Sequence, residues 1–145
     1  MRLITKFLCL SAGDRYLLIS AIYRLLVIRI SLWALPLQRL IKPLPDCGGA
    51  ATSDYELSAK QTAWAIETAS RHLPGVGNCL VQALACRTML TRRGCPARLR
   101  LGVGRDKEGR FRAHAWVESE GRIVIGRRGS FGRAGLPALR QQSQA

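Results

Sequence analysis

Acidic side chains are scarce in this chain: nine Asp and Glu stand against 23 Lys and Arg in 145 residues, a formal charge of +14. Such an excess points to an anionic partner without saying which one. Also missing is a small-residue cleavage site behind a short apolar run after Met1-Arg2. That absence excludes a secretory signal peptide, and a cytoplasmic chain is expected. No long charge-free run occurs in the most apolar stretch, Tyr16 to Ile41. Its arginines at 24, 29 and 39 leave at most nine residues, Ile30 to Gln38, where about 20 apolar residues are needed to cross a bilayer. No span is expected, and an amphipathic helix resting on an anionic surface is the membrane reading that survives.

Cysteine pairs are lacking as well. Cys9, Cys47, Cys79, Cys86 and Cys95 are odd in number, sparse and without a CxxC spacing, which excludes a disulfide scaffold and fits a reducing compartment. The two histidines, His72 and His114, show no helical metal spacing, so neither a metal nor a cofactor is expected. Gly102-Val103-Gly104 lacks the third glycine and the following helix of a dinucleotide loop. The basic segments Arg92 to Arg112 and beyond Arg122 come with no helix-turn-helix, zinc knuckle or RNP-like aromatic pair, so no nucleic-acid partner is expected. Sequence repeats are absent too.

What is present suffices for one domain. The chain is 48% apolar, which excludes a disordered composition and predicts a packed core. From Tyr16 to Ala34 apolar residues recur with helical periodicity, with Asp14 as N-cap and Pro36 as terminator; a second short piece runs to Ile41. Residues 1–45 thus read as a helical segment that packs on the core, and 46–55 as a turn-rich linker. Residues 56–145 hold the core and an irregular basic tail. Within it a helix from Glu56 to His72, capped by Asp54 or Ser58, is followed by a helix opening at Asn78 or Cys79 and closed by Gly94 and Pro96. The period then changes to two. Alternation over Ala97 to Val103, a polar turn at Gly104 to Gly109, and strands at Phe111 to Glu118 and Arg122 to Ile125 predict an antiparallel meander behind two helices.

Cys79 stands at the start of a predicted helix, where unpaired amides and the positive end of the macrodipole favour a thiolate. His114, in the short apolar strand Ala113-His114-Ala115-Trp116-Val117, is the natural partner. A helix-start cysteine followed by a strand histidine is the layout in which an imidazole activates a thiol. The bland alternatives are a small buried cysteine and a satisfied core histidine. Cys86, two turns beyond Cys79, is expected in the core, and Cys9 and Cys47 receive no role.

The run Leu73-Pro74-Gly75-Val76-Gly77-Asn78-Cys79-Leu80-Val81-Gln82-Ala83-Leu84-Ala85, then Leu90 to Gly94, then Phe111-Arg112-Ala113-His114-Ala115-Trp116-Val117-Glu118, resembles the lasso-peptide biosynthesis B-protein in its transglutaminase-like leader-peptidase part. The resemblance covers most of residues 56 to 126. It implies an α+β fold with a papain/transglutaminase-like core, helices on a small antiparallel sheet. It further implies a cysteine peptidase that removes the leader of a ribosomally made precursor before an ATP-dependent macrolactam synthetase closes the ring. Cys79 takes the nucleophile position and His114 the general-base position. The aspartate usual in that family falls on Gly126, so Asp106 or a main-chain carbonyl is left to orient the imidazole. The hairpin near Glu120 is expected to place Gly126 or Arg127 opposite His114. Glu118 shares the face of His114 but lies too far along the strand. The Cys79 amide is the expected oxyanion donor, with Gln61 and Gln82 as candidates for a second. Some members carry a fused leader-recognition domain; here a separate recognition protein is implied. Two other readings compete: a non-catalytic scaffold of the same fold that docks precursor and synthetase, and a small basic nucleic-acid-binding protein.

Overall fold

A computed structural model describes residues 5–6, 8–40, 53–75, 78–105 and 108–126. Among the described residues the elements run in the order α1 (Ala12–Ala34), α2 (Leu37–Leu40), α3 (Ser53–His72), α4 (Cys79–Arg92), β1 (Arg98–Arg105), β2 (Phe111–Ser119) and β3 (Arg122–Ile125). The architecture is α+β, with the helices packed on a three-stranded antiparallel sheet of order β1-β2-β3.

Local chemistry accounts for most boundaries, with three departures from the expected ones. Ser11, not Asp14, caps α1. Its hydroxyl accepts from the Asp14 amide at 3.2 Å and donates to the Asp14 carboxylate at 2.7 Å, a reciprocal arrangement that uses both polar residues and starts the helix three residues earlier. Helix α3 begins at Ser53, so the last three residues assigned to the linker are helical, and Asp54 and Ser58 lie inside the helix rather than capping it. Strand β1 continues to Arg105, two residues into the expected turn, because Gly104 and Arg105 still pair with Arg112 and Phe111. Asp106, Cys47 and the basic tail lie outside the described residues.

The β2–β3 connection is a two-residue hairpin. Ser119 pairs with Arg122, and Glu120 and Gly121 both have positive φ, 48° and 75°, the backbone of a turn whose twist matches the flanking strands. A β-bulge then separates the Val117–Ile125 pair from the Glu118–Ile123 pair.

One core joins these elements. Leu17, Ala21 and Leu25 of α1, Ile66 and Ala69 of α3, Val81, Met89 and Leu90 of α4, and Ala115, Val117 and Ile125 of the sheet are buried together. Each fully buried leucine contributes about 2 kcal/mol. Helix α1 is therefore part of the same packed body as the sheet. The segment after α4 is tied down by the Pro96 carbonyl, which accepts from Tyr55 Oη and from Ser119 Oγ. This knot anchors the Arg92 end of α4 to the Ser119 end of β2.

Candidate active site

Cys79 is the first residue of α4. Asn78 precedes it with extended backbone (φ −65°, ψ 133°) and makes no side-chain cap bond. The first intrahelical bond here runs from the Gln82 amide to the Asn78 carbonyl. The amides of Cys79, Leu80 and Val81 consequently have no partner within the helix, and they make a set of donors suited to negative charge. The Cys79 side chain rests partly buried against the core.

His114 lies in β2 opposite Gly102 of β1. Strand alternation turns Ala115 and Val117 into the core and His114, Trp116 and Glu118 to the other face, where all three are half-buried. The imidazole is held on two sides. Its ring stacks with Trp116 at 6.1 Å and 22°, and its Nε2 pairs with the carbonyl oxygen of Gly126. A carbonyl only accepts, so Nε2 carries the proton and Nδ1 is the basic nitrogen of the neutral ring. Trp116 is fixed in turn: its Nε1 donates to Glu118 Oε1 at 3.0 Å, while Arg100 Nε donates to Glu118 Oε2 at 3.1 Å. Both oxygens of Glu118 are thus engaged away from His114, in keeping with its expected distance along the strand.

Helix α4 packs against β2. The structure sets Cys79 at the head of α4 and His114 in the strand against which α4 packs, and among the contacts described none joins the two side chains.

The expected register is corrected here. The bulge between Val117 and Glu118 shifts β3 by one residue, and Gly126 comes level with Trp116 rather than with His114. A Cβ built on Gly126 would lie 2.7 Å from Trp116 Cβ and 2.8 Å from the Ala115 oxygen. With φ at +100° this position accepts glycine and little else. Gly126 thus meets the imidazole through its own main-chain oxygen. Sequence reasoning allowed a main-chain carbonyl but did not identify Gly126 as its source, and the stacking role of Trp116 went unread; the recurrence of His and Trp two apart on one strand face was the available signal.

Of the amide candidates for oxyanion stabilisation, Gln82 donates through Nε2 to Ser70 Oγ at 3.1 Å, which joins α4 to α3. Gln61 lines a shallow hollow with Asp14, Lys60 and Trp64 on the α1–α3 side. Among the contacts described, neither reaches Cys79 or His114. His72 is exposed in the last turn of α3, and no group of three or more metal-ligating side chains occurs among the described residues. A larger groove of about 610 Å³ runs between α3 and the β2–β3 hairpin, lined by Tyr55, Trp64, Glu67, Glu120 and Ile123 among others. It shares no lining residue with Cys79 or His114.

Cys86 is fully buried, as its spacing from Cys79 predicts. Burial, with the Glu67 carboxylate adding to it, pushes its thiol up from 9.0 to about 12. The native state keeps this thiol protonated, whereas an unfolded chain releases the proton near 9. Stability is therefore complete below about pH 9 and falls as pH rises toward 12. Tyr55, raised from 10.0 to about 12 by burial, acts with the same sign. Denaturant titrations across this range should show the midpoint falling with pH, with a shallower fall in Cys86→Ala. An unchanged slope in that variant would remove Cys86 as a cause.

Residues 22–134 match the model of the Transglutaminase-like superfamily. No curated protein and no solved structure matches the chain. The family match spans well over half of the 145 residues and takes in Cys79, His114 and Gly126; the chain belongs to the Transglutaminase-like superfamily, which includes cysteine peptidases and transferases.

Proposed function

We propose that this protein is a cysteine peptidase that removes the leader from a lasso-peptide precursor. The observation that carries the reading is the Nε2 bond of His114 to the Gly126 carbonyl, which gives the strand histidine a fixed orientation and a basic Nδ1 without an aspartate. In the proposed reaction Nδ1 takes the Cys79 thiol proton, and Sγ bonds to the scissile carbonyl carbon. The imidazolium then delivers the proton to the leaving amine as the C–N bond breaks. Water, deprotonated by the same nitrogen, cleaves the thioester to free the leader carboxylate and regenerate the thiol. The Cys79 amide at the head of α4 faces the oxyanion, a contribution of roughly 3 kcal/mol.

The precursor leader, a separate leader-recognition protein and an ATP-dependent macrolactam synthetase are the proposed partners, and the cytoplasm the proposed compartment. The test is cleavage of a co-supplied precursor read by mass spectrometry. Slow cleavage by the chain alone and a faster rate with a recognition protein are expected, because docking supplies proximity rather than chemistry. Equal rates would show that this chain binds the leader unaided. The glycine at 126 also favours a second reading, a scaffold of the same fold without activity. Precursor left intact in the presence of a recognition protein, with the complex still formed, would select it.

A further inference from the structure

Helix α1 is apolar on two opposite faces, and the core uses only one. Leu17, Leu18, Ala21 and Leu25 are buried. On the far side Tyr16, Ile19, Tyr23, Leu26, Ile30 and Trp33 follow one another at alternating steps of three and four, and every one is exposed, from Leu26 at 42% to Trp33 at 89%. At 3.6 residues per turn these six form a single stripe ~26 Å long. Arg15 and Arg29 border it on one side, and Asp14 is the only acidic residue of the helix. An apolar stripe of this size on the surface calls for an occupant.

We infer that this stripe seats the protein on the surface of an anionic lipid bilayer, with α1 lying in the interface plane. Three features select that occupant. The chain carries a formal +14, so a second copy would bring like charge against like, whereas anionic headgroups neutralise the flanking arginines. The exposed aromatics are two tyrosines and a tryptophan, which combine an apolar ring with a polar tip and suit the headgroup boundary. The helix has the length and composition to cross a bilayer, with a mean hydropathy of 1.8, yet Leu25 on its other face is fully buried among residues of α3, α4 and the sheet. Crossing would strip that face from the core. Lying flat keeps it, as in interfacial helices whose polar face is here replaced by the protein itself. Arg29 also lies against Gly75, in the turn that follows α3.

The experiment is flotation of the full chain with vesicles of equal parts phosphatidylglycerol and phosphatidylcholine, against vesicles of phosphatidylcholine alone. Binding to the anionic vesicles is expected, weakened by salt and released by alkaline carbonate. Replacing two exposed residues in Ile30→Glu, Trp33→Glu should lower partitioning by roughly a hundredfold with an unchanged circular dichroism spectrum, and Arg15→Gln, Arg29→Gln should reduce its salt dependence. Equal recovery with both lipid mixtures, or unaltered binding by the Ile30, Trp33 variant, would overturn the inference. Resistance to carbonate would do so too, by marking a span. A stable dimer that the same substitutions dissolve while flotation persists would assign the stripe to a second copy instead.

Discussion

Cys79→Ala should abolish precursor cleavage, with a loss on the order of 10⁴-fold or more, and leave the fold unchanged. Alanine keeps the helix start and the amide donors but has no sulfur to bond to the carbonyl carbon, so no acyl-enzyme forms. The cost in stability is small, because the thiol is only partly buried and makes its contacts at the edge of the core. His114→Ala should lose activity as severely by removing the basic Nδ1. Cys86→Ala is the mirror case. Its sulfur is fully buried, so truncation leaves a small cavity costing about 1 kcal/mol with cleavage retained. Rates by mass spectrometry and unfolding midpoints on the same three variants separate nucleophile, base and packing residue. Full cleavage by Cys79→Ala would remove the peptidase reading altogether.

Gly126→Asp should not restore a missing carboxylate; it should destabilise the protein by about 3 kcal/mol and lower Tm on the order of 10 °C. The new Cβ would come within 2.7 Å of Trp116 Cβ, 2.8 Å of the Ala115 oxygen and 2.9 Å of Trp116 Cα, all atoms of a central strand that have nowhere to go. The φ of +100° adds strain for any residue with a Cβ. Any relief moves the Gly126 carbonyl and releases the His114 ring, so activity should fall together with stability. Gly109→Ala is the control. Its φ is +77° but nothing lies within 4 Å of a built Cβ, and the expected cost is the backbone strain alone, about 1 kcal/mol. A folded Gly126→Asp with wild-type Tm and raised turnover would show that the backbone at Gly126 differs from the one described.

The order of helices and strands was legible in the residues because it rests on short-range periodicity. The alternation of Leu99, Leu101 and Val103 with arginines, and the Glu120-Gly121 turn, are local statements that the three-dimensional structure left in place. The same holds for Cys79 at the head of α4, since the helix opens where the turn residues of Leu73 to Gly77 end. The cap of α1 was less legible: Ser11 and Asp14 are both good caps three residues apart, and the reciprocal bond that uses both is settled by geometry rather than by residue type. Cross-strand relations were beyond reach. A single bulge at Val117 moved Gly126 off the expected register, and whether a glycine there reflects a lost carboxylate or a required close approach depends on the Trp116 backbone, which belongs to another strand. Helix α1 shows the limit most plainly. Its apolar residues run all the way round, so periodicity alone does not choose the face that docks. Packing against α3 and α4 buried the Leu25 side, and only that choice left Tyr16 to Trp33 facing outward.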